Sequence, residues 1–258
     1  MGARDNFLVQ MLRRRTFLAT VVSAGIFSSL SRVSNALAAA DQIAGGAAKK
    51  MDADKKLPAP ANGRIPVAFV ISHDVTVIDF AGPWEVFQDV MIPARGEGVN
   101  GMPFELFTVS DKLDAIVGSG GLKLIPDHTL ETAPPPKVVV VPAQQGSKAI
   151  EEWLARISPT TDVTMSVCTG AFLLARAGLL SGKPATTHHL FLDKLAREFP
   201  KVEVKRGVRF VEEGKISTAG GLTSGIDLAL HVVERYFERE VAQTTADYME
   251  HHSREWIG

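Results

Sequence analysis

The sequence predicts an α/β domain: a mostly parallel sheet with helices on both faces, three layers in all. Two observations carry this reading. Continuous apolar, partly β-branched runs such as IPVAFVIS (65–72) and KVVVVP (137–142) have the character of strands buried on both faces. These runs alternate with segments of helical periodicity, such as SKAIEEWLARIS (147–158), where Ile150, Trp153, Leu154 and Ile157 share one face. A length of 258 residues with 45% hydrophobic residues suits one generous domain, or at most two small ones.

Before the domain lies a segment of another kind. RRRTFLA (13–19) sets Arg14 and Arg15 ahead of Thr16, Phe17 and Leu18; an apolar stretch follows, then SNALAAAD (34–41) with small residues. Basic, hydrophobic and small-residue regions in this order form an export signal, and the paired arginines resemble a twin-arginine signal. Residues 1–40 are therefore expected to be a signal peptide cleaved after Ala38 or Ala40, leaving a periplasmic or secreted protein. Residues 41–64, rich in Ala, Gly, Lys, Asp and Pro without periodic apolar positions, are expected to be a flexible linker. The working domain is expected to span 65–258.

Along that domain, the first strand leads to a helix over DFAGPWEVFQDVM (79–91), with Asp79 at its entry. PFELFTVS (103–110) is a second strand, GSGGLKLIPDHTL (118–130) a glycine-punctuated turn and short strand, and 137–142 a third strong strand. VTMSV (163–167) forms a strand running into Cys168, and 169–180 the next helix. HLFLDKLAREFP (189–200) is an amphipathic helix. VEV, VRFV and KIST are short strands, and GIDLALHVVERYFERE (225–240) is a long helix broken near Glu240. No internal repeat is present.

Composition weighs against several function classes early. A net charge of −1 argues against a large nucleic-acid footprint, which would need a clustered basic surface. No stretch reaches the roughly 18 to 20 consecutive apolar residues of a membrane span. A single cysteine allows neither an intrachain disulfide nor a cysteine-based zinc site.

In parallel sheets ligands sit beyond the carboxyl ends of strands. Three stretches converge there: Asp79, PAQQG (142–146) and SVCTG (166–170). A cysteine at a strand-to-helix turn is held out as in the hydrolase nucleophile elbow, and a helix N-terminus beyond it is expected to lower the thiol pKa. Oxyanion donors are expected from the amide of Thr169 and from Ala143 or Gln144, with Gly170 allowing close approach of backbone and ligand. Asp79 is the candidate general acid or base. The spacing alone leaves open a second account, in which Cys168 is a small buried hydrophobe.

The segments VIDFAGPWEVF, SVCTGAFLLARAGLLSGKPATTHH and GKISTAGGLTSGIDLALHVVERYFERE together resemble the ThiJ/PfpI family of the class I glutamine amidotransferase-like superfamily, from about Ile65 to Met249. Within it the pattern is similar to isonitrile hydratases and to the amidase-like domain of AraC-type regulators. The resemblance implies a flavodoxin-like α/β sandwich, commonly a homodimer, with Cys168 as nucleophile beside Thr169. Asp79 matches the acidic residue of the hydratase segment, here I-D-F-A-G-P. The implied reaction is attack of the thiolate on an isonitrile carbon, releasing an N-substituted formamide without metal or organic cofactor. Three departures bear on the substrate: Thr169 stands where protease- and deglycase-like relatives carry a histidine directly after the cysteine, and two motifs differ. PAQQG replaces the family's P-G-G, and TTHH replaces T-T-H-W.

His188 is expected to hydrogen-bond near the site, His251 and His252 to form a solvated tail, and Asp227 to be structural. TAGGLTSG (218–225) lacks a phosphate loop's lysine and is expected to serve helix–sheet packing. Trp84 and Phe87 read as core or dimer contact. The leading function is an exported cysteine enzyme acting on a small molecule, with isonitrile hydration foremost. A ligand-sensing domain and a thiol stress protein are the alternatives. Direct transcription control is not expected, because the chain ends at Gly258 just after the shared region.

Overall fold

The computed structural model describes residues 56–96, 98 and 101–257. The signal peptide, its cleavage site and the linker up to residue 55 lie outside the described residues.

The chain forms β1 (Ile65–Val70), α1 (Val77–Gln88), β2 (Phe104–Ser110), β3 (Ile116–Val117), β4 (Lys123–Leu124), β5 (His128–Thr129) and β6 (Val138–Val141). It continues with α2 (Lys148–Ile157), β7 (Val163–Val167), α3 (Gly170–Arg176), β8 (Pro184–Ala185), α4 (Leu192–Glu198), β9 (Glu203–Val204), β10 (Phe210–Glu213), β11 (Ile216–Ala219) and α5 (Ser224–Tyr248). The main sheet has seven strands in the order β10-β11-β7-β6-β1-β2-β5. Every pairing in it is parallel except β10 with β11.

The three predicted layers follow from how the strands divide their side chains. Successive strand residues face opposite sides. Ile65, Val67 and Phe69 of β1, Val138 and Val140 of β6, and Val163, Met165 and Val167 of β7 join one core with Val86 and Phe87 of α1 and Leu228, Ala229, Leu230, Val232 and Val233 of α5. Ala68, Val70, Val139 and Val141 join the opposite core with Ile150, Trp153 and Leu154 of α2 and Leu173 of α3. Both faces are covered, so the strands read as unbroken apolar runs rather than alternating ones.

The aromatic residues of α1 pack inward: Phe69 meets Trp84 at 4.8 Å between ring centroids, and Phe87 meets Phe104 at 4.9 Å. Phe87 therefore belongs to the core. The long helix is interrupted at Glu238 (φ 76°), two positions before the expected Glu240. Residues 56–64, expected as the end of a linker, lie against the domain: the Leu57 N–H donates to the Arg235 carbonyl at 2.8 Å, and the Arg95 guanidinium donates to the Gly63 carbonyl at 3.1 Å.

Among the described residues, no helix is long and apolar enough to cross a membrane.

Candidate active site

Cys168 ends β7 and precedes α3, with φ at 57°. The left-handed region is costly for a residue with a side chain, so surrounding contacts must hold it there. The Cys168 N–H donates to the Gly220 carbonyl at 2.7 Å and, more weakly, to that of Ala219 at 3.2 Å. Its carbonyl accepts the Thr187 hydroxyl at 2.7 Å. Gly170 is required by the same turn: a Cβ there would lie 2.0 Å from the Val141 carbonyl oxygen. The space that glycine leaves is used by the close approach of the chain's own backbone.

Asp79 sits in the first turn of α1, completely buried. Pro83 lies four residues on and has no N–H, so it cannot donate to the Asp79 carbonyl as a helical residue would. Asp79 Oδ2 accepts the Ala143 N–H at 3.2 Å, while Oδ1 is buried without a well-formed hydrogen bond. The thiol of Cys168 and the N–H of Leu222 also lie against this carboxyl, and the N–H groups of Thr169 and Leu222 lie against the sulfur. Three separate chain segments thus enclose one acid–thiol pair.

Burial sets the protonation of that pair. Desolvation pushes the Asp79 carboxyl up to about 6, against the opposing pull of the Ala143 amide, the thiol and the Leu222 amide. Desolvation also pushes the Cys168 thiol up to about 11; the negative charge of Asp79 adds to this, and the two amides oppose it. The expectation of a lowered thiol pKa is therefore corrected. The amides favour the thiolate, but removal of water and a neighbouring carboxylate outweigh them. At neutral pH the proton rests on sulfur beside a mostly ionised carboxylate.

The other predicted residues divide. Ala143 is not an oxyanion donor, since its N–H is taken by Asp79, and its carbonyl accepts the Thr76 N–H at 2.8 Å. The side chain of Gln144 donates to the Val70 carbonyl at 2.8 Å, leaving its Oε1 buried without a hydrogen-bond partner among the described residues. His188 packs over Gly221, where a Cβ would meet its ring at 2.2 Å, and its Nδ1 accepts the Leu190 N–H at 3.3 Å. Burial, and then the stacked His189, lower the His188 pKa. His251 is not solvated as expected: its Nε2 lies 2.9 Å from Asp227 Oδ1.

Two contributors escaped sequence reasoning. Leu222 brings a backbone amide rather than a side chain, and its φ of 53° carries no signature in a leucine. Its one hint is the Gly220-Gly221 pair before a helix. Thr187 holds the Cys168 carbonyl, and only its place in ATTHH pointed to it.

A separate cavity of about 270 Å³ opens beyond β1 and β2, lined by Ser72, His73, Lys112, Asp114, Gln145 and Gly146 among others; neither Cys168 nor Asp79 borders it. Among the described residues, no group of three or more His, Cys, Asp or Glu side chains is placed to hold a metal ion.

A parallel-sheet sandwich with a cysteine on a strained strand-to-helix turn, faced by an acid from the first helix, defines a class of thiol-bearing α/β proteins. The chain belongs to the DJ-1/PfpI family, whose profile matches residues 66–235. It is 30% identical over 185 residues to an isonitrile hydratase of Pseudomonas putida, a match covering 69% of this chain and 75% of that protein. It is 28% identical over 137 residues to the HTH-type transcriptional regulator GbdR of Pseudomonas aeruginosa, covering 50% of this chain but 36% of the regulator. The crystal structure of a ThiJ/PfpI family protein from Pseudomonas syringae superposes with a TM-score of 0.63 at 24% identity, covering 82% of this chain and 84% of that one.

Proposed function

We propose that this chain is an exported, cysteine-dependent enzyme that hydrates isonitriles to N-substituted formamides. The observation that carries the proposal is the contact of the Cys168 thiol with the buried carboxyl of Asp79, beside which no cation lies among the described residues. An isonitrile carbon needs both a nucleophile and a proton, and this pair holds one of each. Asp79 takes the sulfur's proton and delivers it to the isonitrile carbon as the S–C bond forms, giving a thioimidate. Water then adds to that carbon, the nitrogen gains a proton, and the C–S bond breaks. The thiol is regenerated and the formamide leaves. The amides of Thr169 and Leu222 stabilise charge on sulfur as it develops and departs. The high thiol pKa makes the thiolate a strong nucleophile once formed, and the carboxylate beside it supplies the base that forms it. A small-molecule substrate, a homodimer, and delivery to the periplasm or exterior by the twin-arginine signal complete the proposal.

The test is formamide production from a simple alkyl isonitrile by the purified domain, with mass spectrometry of the protein during turnover. The expected result is formamide, plus a protein species heavier by one intact isonitrile. Cys168→Ala should lose both, with activity falling by at least about 10³-fold. Equal formamide from both proteins would overturn the nucleophile assignment.

The similarity to GbdR supports a second reading, a domain that binds a small ligand without turning it over. Saturable binding of an isonitrile or formamide without product would select it. For export, Arg14→Lys with Arg15→Lys should retain the protein in the cytoplasm, and normal export would remove that part of the proposal.

A further inference from the structure

The loop that closes over the sulfur is held from a distance. Gly220 receives the Cys168 N–H on its carbonyl and donates its own N–H to the Arg209 carbonyl at 2.8 Å. The Arg209 side chain reaches the same loop again, donating through Nη2 to the Thr223 hydroxyl at 3.2 Å. Leu222, whose amide lies against both Cys168 and Asp79, sits between these two attachments in the left-handed region. The clamp is fixed in turn at its far end. Arg209 Nε donates to Asp227 Oδ2 at 2.7 Å and Nη2 joins it, while His251 holds Oδ1. Asp227 is fully buried with both oxygens partnered.

His251 comes from the stretch after α5, and that stretch is itself locked. The Trp256 side chain is completely buried, its indole N–H donates to the Ser253 carbonyl at 2.9 Å, and its own carbonyl lies 3.1 Å from His231 Nδ1. A continuous chain of contacts therefore runs from residues 251–256 through Asp227 and Arg209 to the Gly220 N–H and the Thr223 hydroxyl, on either side of Leu222.

We propose that Arg209, Asp227 and His251 are positioning residues for the acid–thiol pair, holding Gly220 and Leu222 where they fix the strained Cys168 backbone and present an amide to sulfur and carboxyl. None of the three touches the reacting atoms. The proposal deepens the reading of Cys168 as a working thiol, and its test does not depend on isonitrile being the substrate.

The experiment measures the rate of Cys168 alkylation by iodoacetamide against pH in the full chain, alongside thermal stability. Arg209→Gln and His251→Ala release the loop from opposite ends of the chain of contacts. Each should move the midpoint of alkylation upward by at least half a pH unit, because an amide favouring the thiolate is withdrawn. His251→Gln, which keeps a donor for Asp227, should restore the wild-type midpoint. If isonitrile hydration is confirmed, Arg209→Gln should lower kcat about tenfold while leaving KM within twofold. Unchanged alkylation profiles in folded Arg209→Gln and His251→Ala would overturn the proposal. A profile that fails to recover in His251→Gln while its melting temperature does would also overturn it, by separating stability from positioning. Absence of formamide with the alkylation shifts intact would count against the isonitrile reading alone.

Discussion

Asp79 and Asp227 are a matched pair of carboxylates with opposite fates. Each is completely buried and each lies in the first turn of a helix, α1 and α5 respectively. Asp227 has a guanidinium on one oxygen and an imidazole on the other. Asp79 has one amide on Oδ2, a thiol and a second amide alongside, and, among the described residues, no cation. A buried carboxylate supplied with positive charge and full hydrogen bonding is a structural joint. One left short of both holds its proton more tightly and stays ready to exchange it. Burial alone thus does not distinguish a site from a strut; the completeness of partnering does.

Replacing each acid by its amide separates the two roles. Asp79→Asn removes the proton relay, and formamide production should fall by roughly 10² to 10⁴. The same change should lower the midpoint of Cys168 alkylation, since the carboxylate's charge is one of the causes that raise it. A rise in that midpoint would contradict the account of the pair.

The pH profile tests the same acid without mutation. Catalysis by ionised Asp79 should give kcat/KM an acid limb near pH 6, the value to which burial pushes the carboxyl. A limb near pH 4 would mean that Asp79 is not the group titrating. Because the two groups interact, the apparent value belongs to the pair.

Stability should respond in opposite directions at the two positions. A carboxyl whose folded pKa lies above its unfolded value of 3.8 binds protons more tightly in the native state. Its contribution to stability is complete below about pH 4 and is lost as pH rises through about 6. Asp79→Asn should therefore stabilise the protein at pH 8 by about 1 to 3 kcal/mol, with the gain vanishing near pH 4 in thermal melts. Asp227→Asn should cost about 2 kcal/mol at pH 8. That is less than the about 3 to 5 kcal/mol typical when a buried pair is broken, because the Arg209 side chain is one-third exposed at 33%. Destabilisation at both positions, or at neither, would dissolve the contrast.

The smallest effect is expected at His188. Its ring covers Gly221 and has no hydrogen bond to the acid or the thiol among the described contacts. His188→Ala should change KM by less than about tenfold and leave the alkylation midpoint unmoved, in keeping with an interaction near the usual net value of about 1 kcal/mol.

What the sequence made legible follows the same division between side chains and backbone. The strands of both cores were readable because burial on two faces writes itself as continuous valine and isoleucine. Cys168 and Asp79 were readable because their chemistry resides in their side chains and their turns end predicted strands. The Leu222 amide was hidden, since any residue supplies an N–H and only the fold says where it points. The sign of the thiol shift was hidden as well: a helix start beyond the cysteine was visible in the sequence, but the depth of burial was not. The role of His251 required knowing that the chain folds back after α5, which no local pattern in MEHHSREW reveals.

The two edges of the main sheet bear on how copies of this chain can meet. On one side the last strand, β5, has only two residues; on the other, β8 runs close to β10. A long bare edge would offer rows of unpaired backbone groups to any passing strand, with little regard for sequence. Here both edges are short: β5 has two residues, and β10, with β8 close by, has four. The proposed homodimer is therefore expected to meet through helices and loops, where side chains rather than naked backbone choose the neighbour.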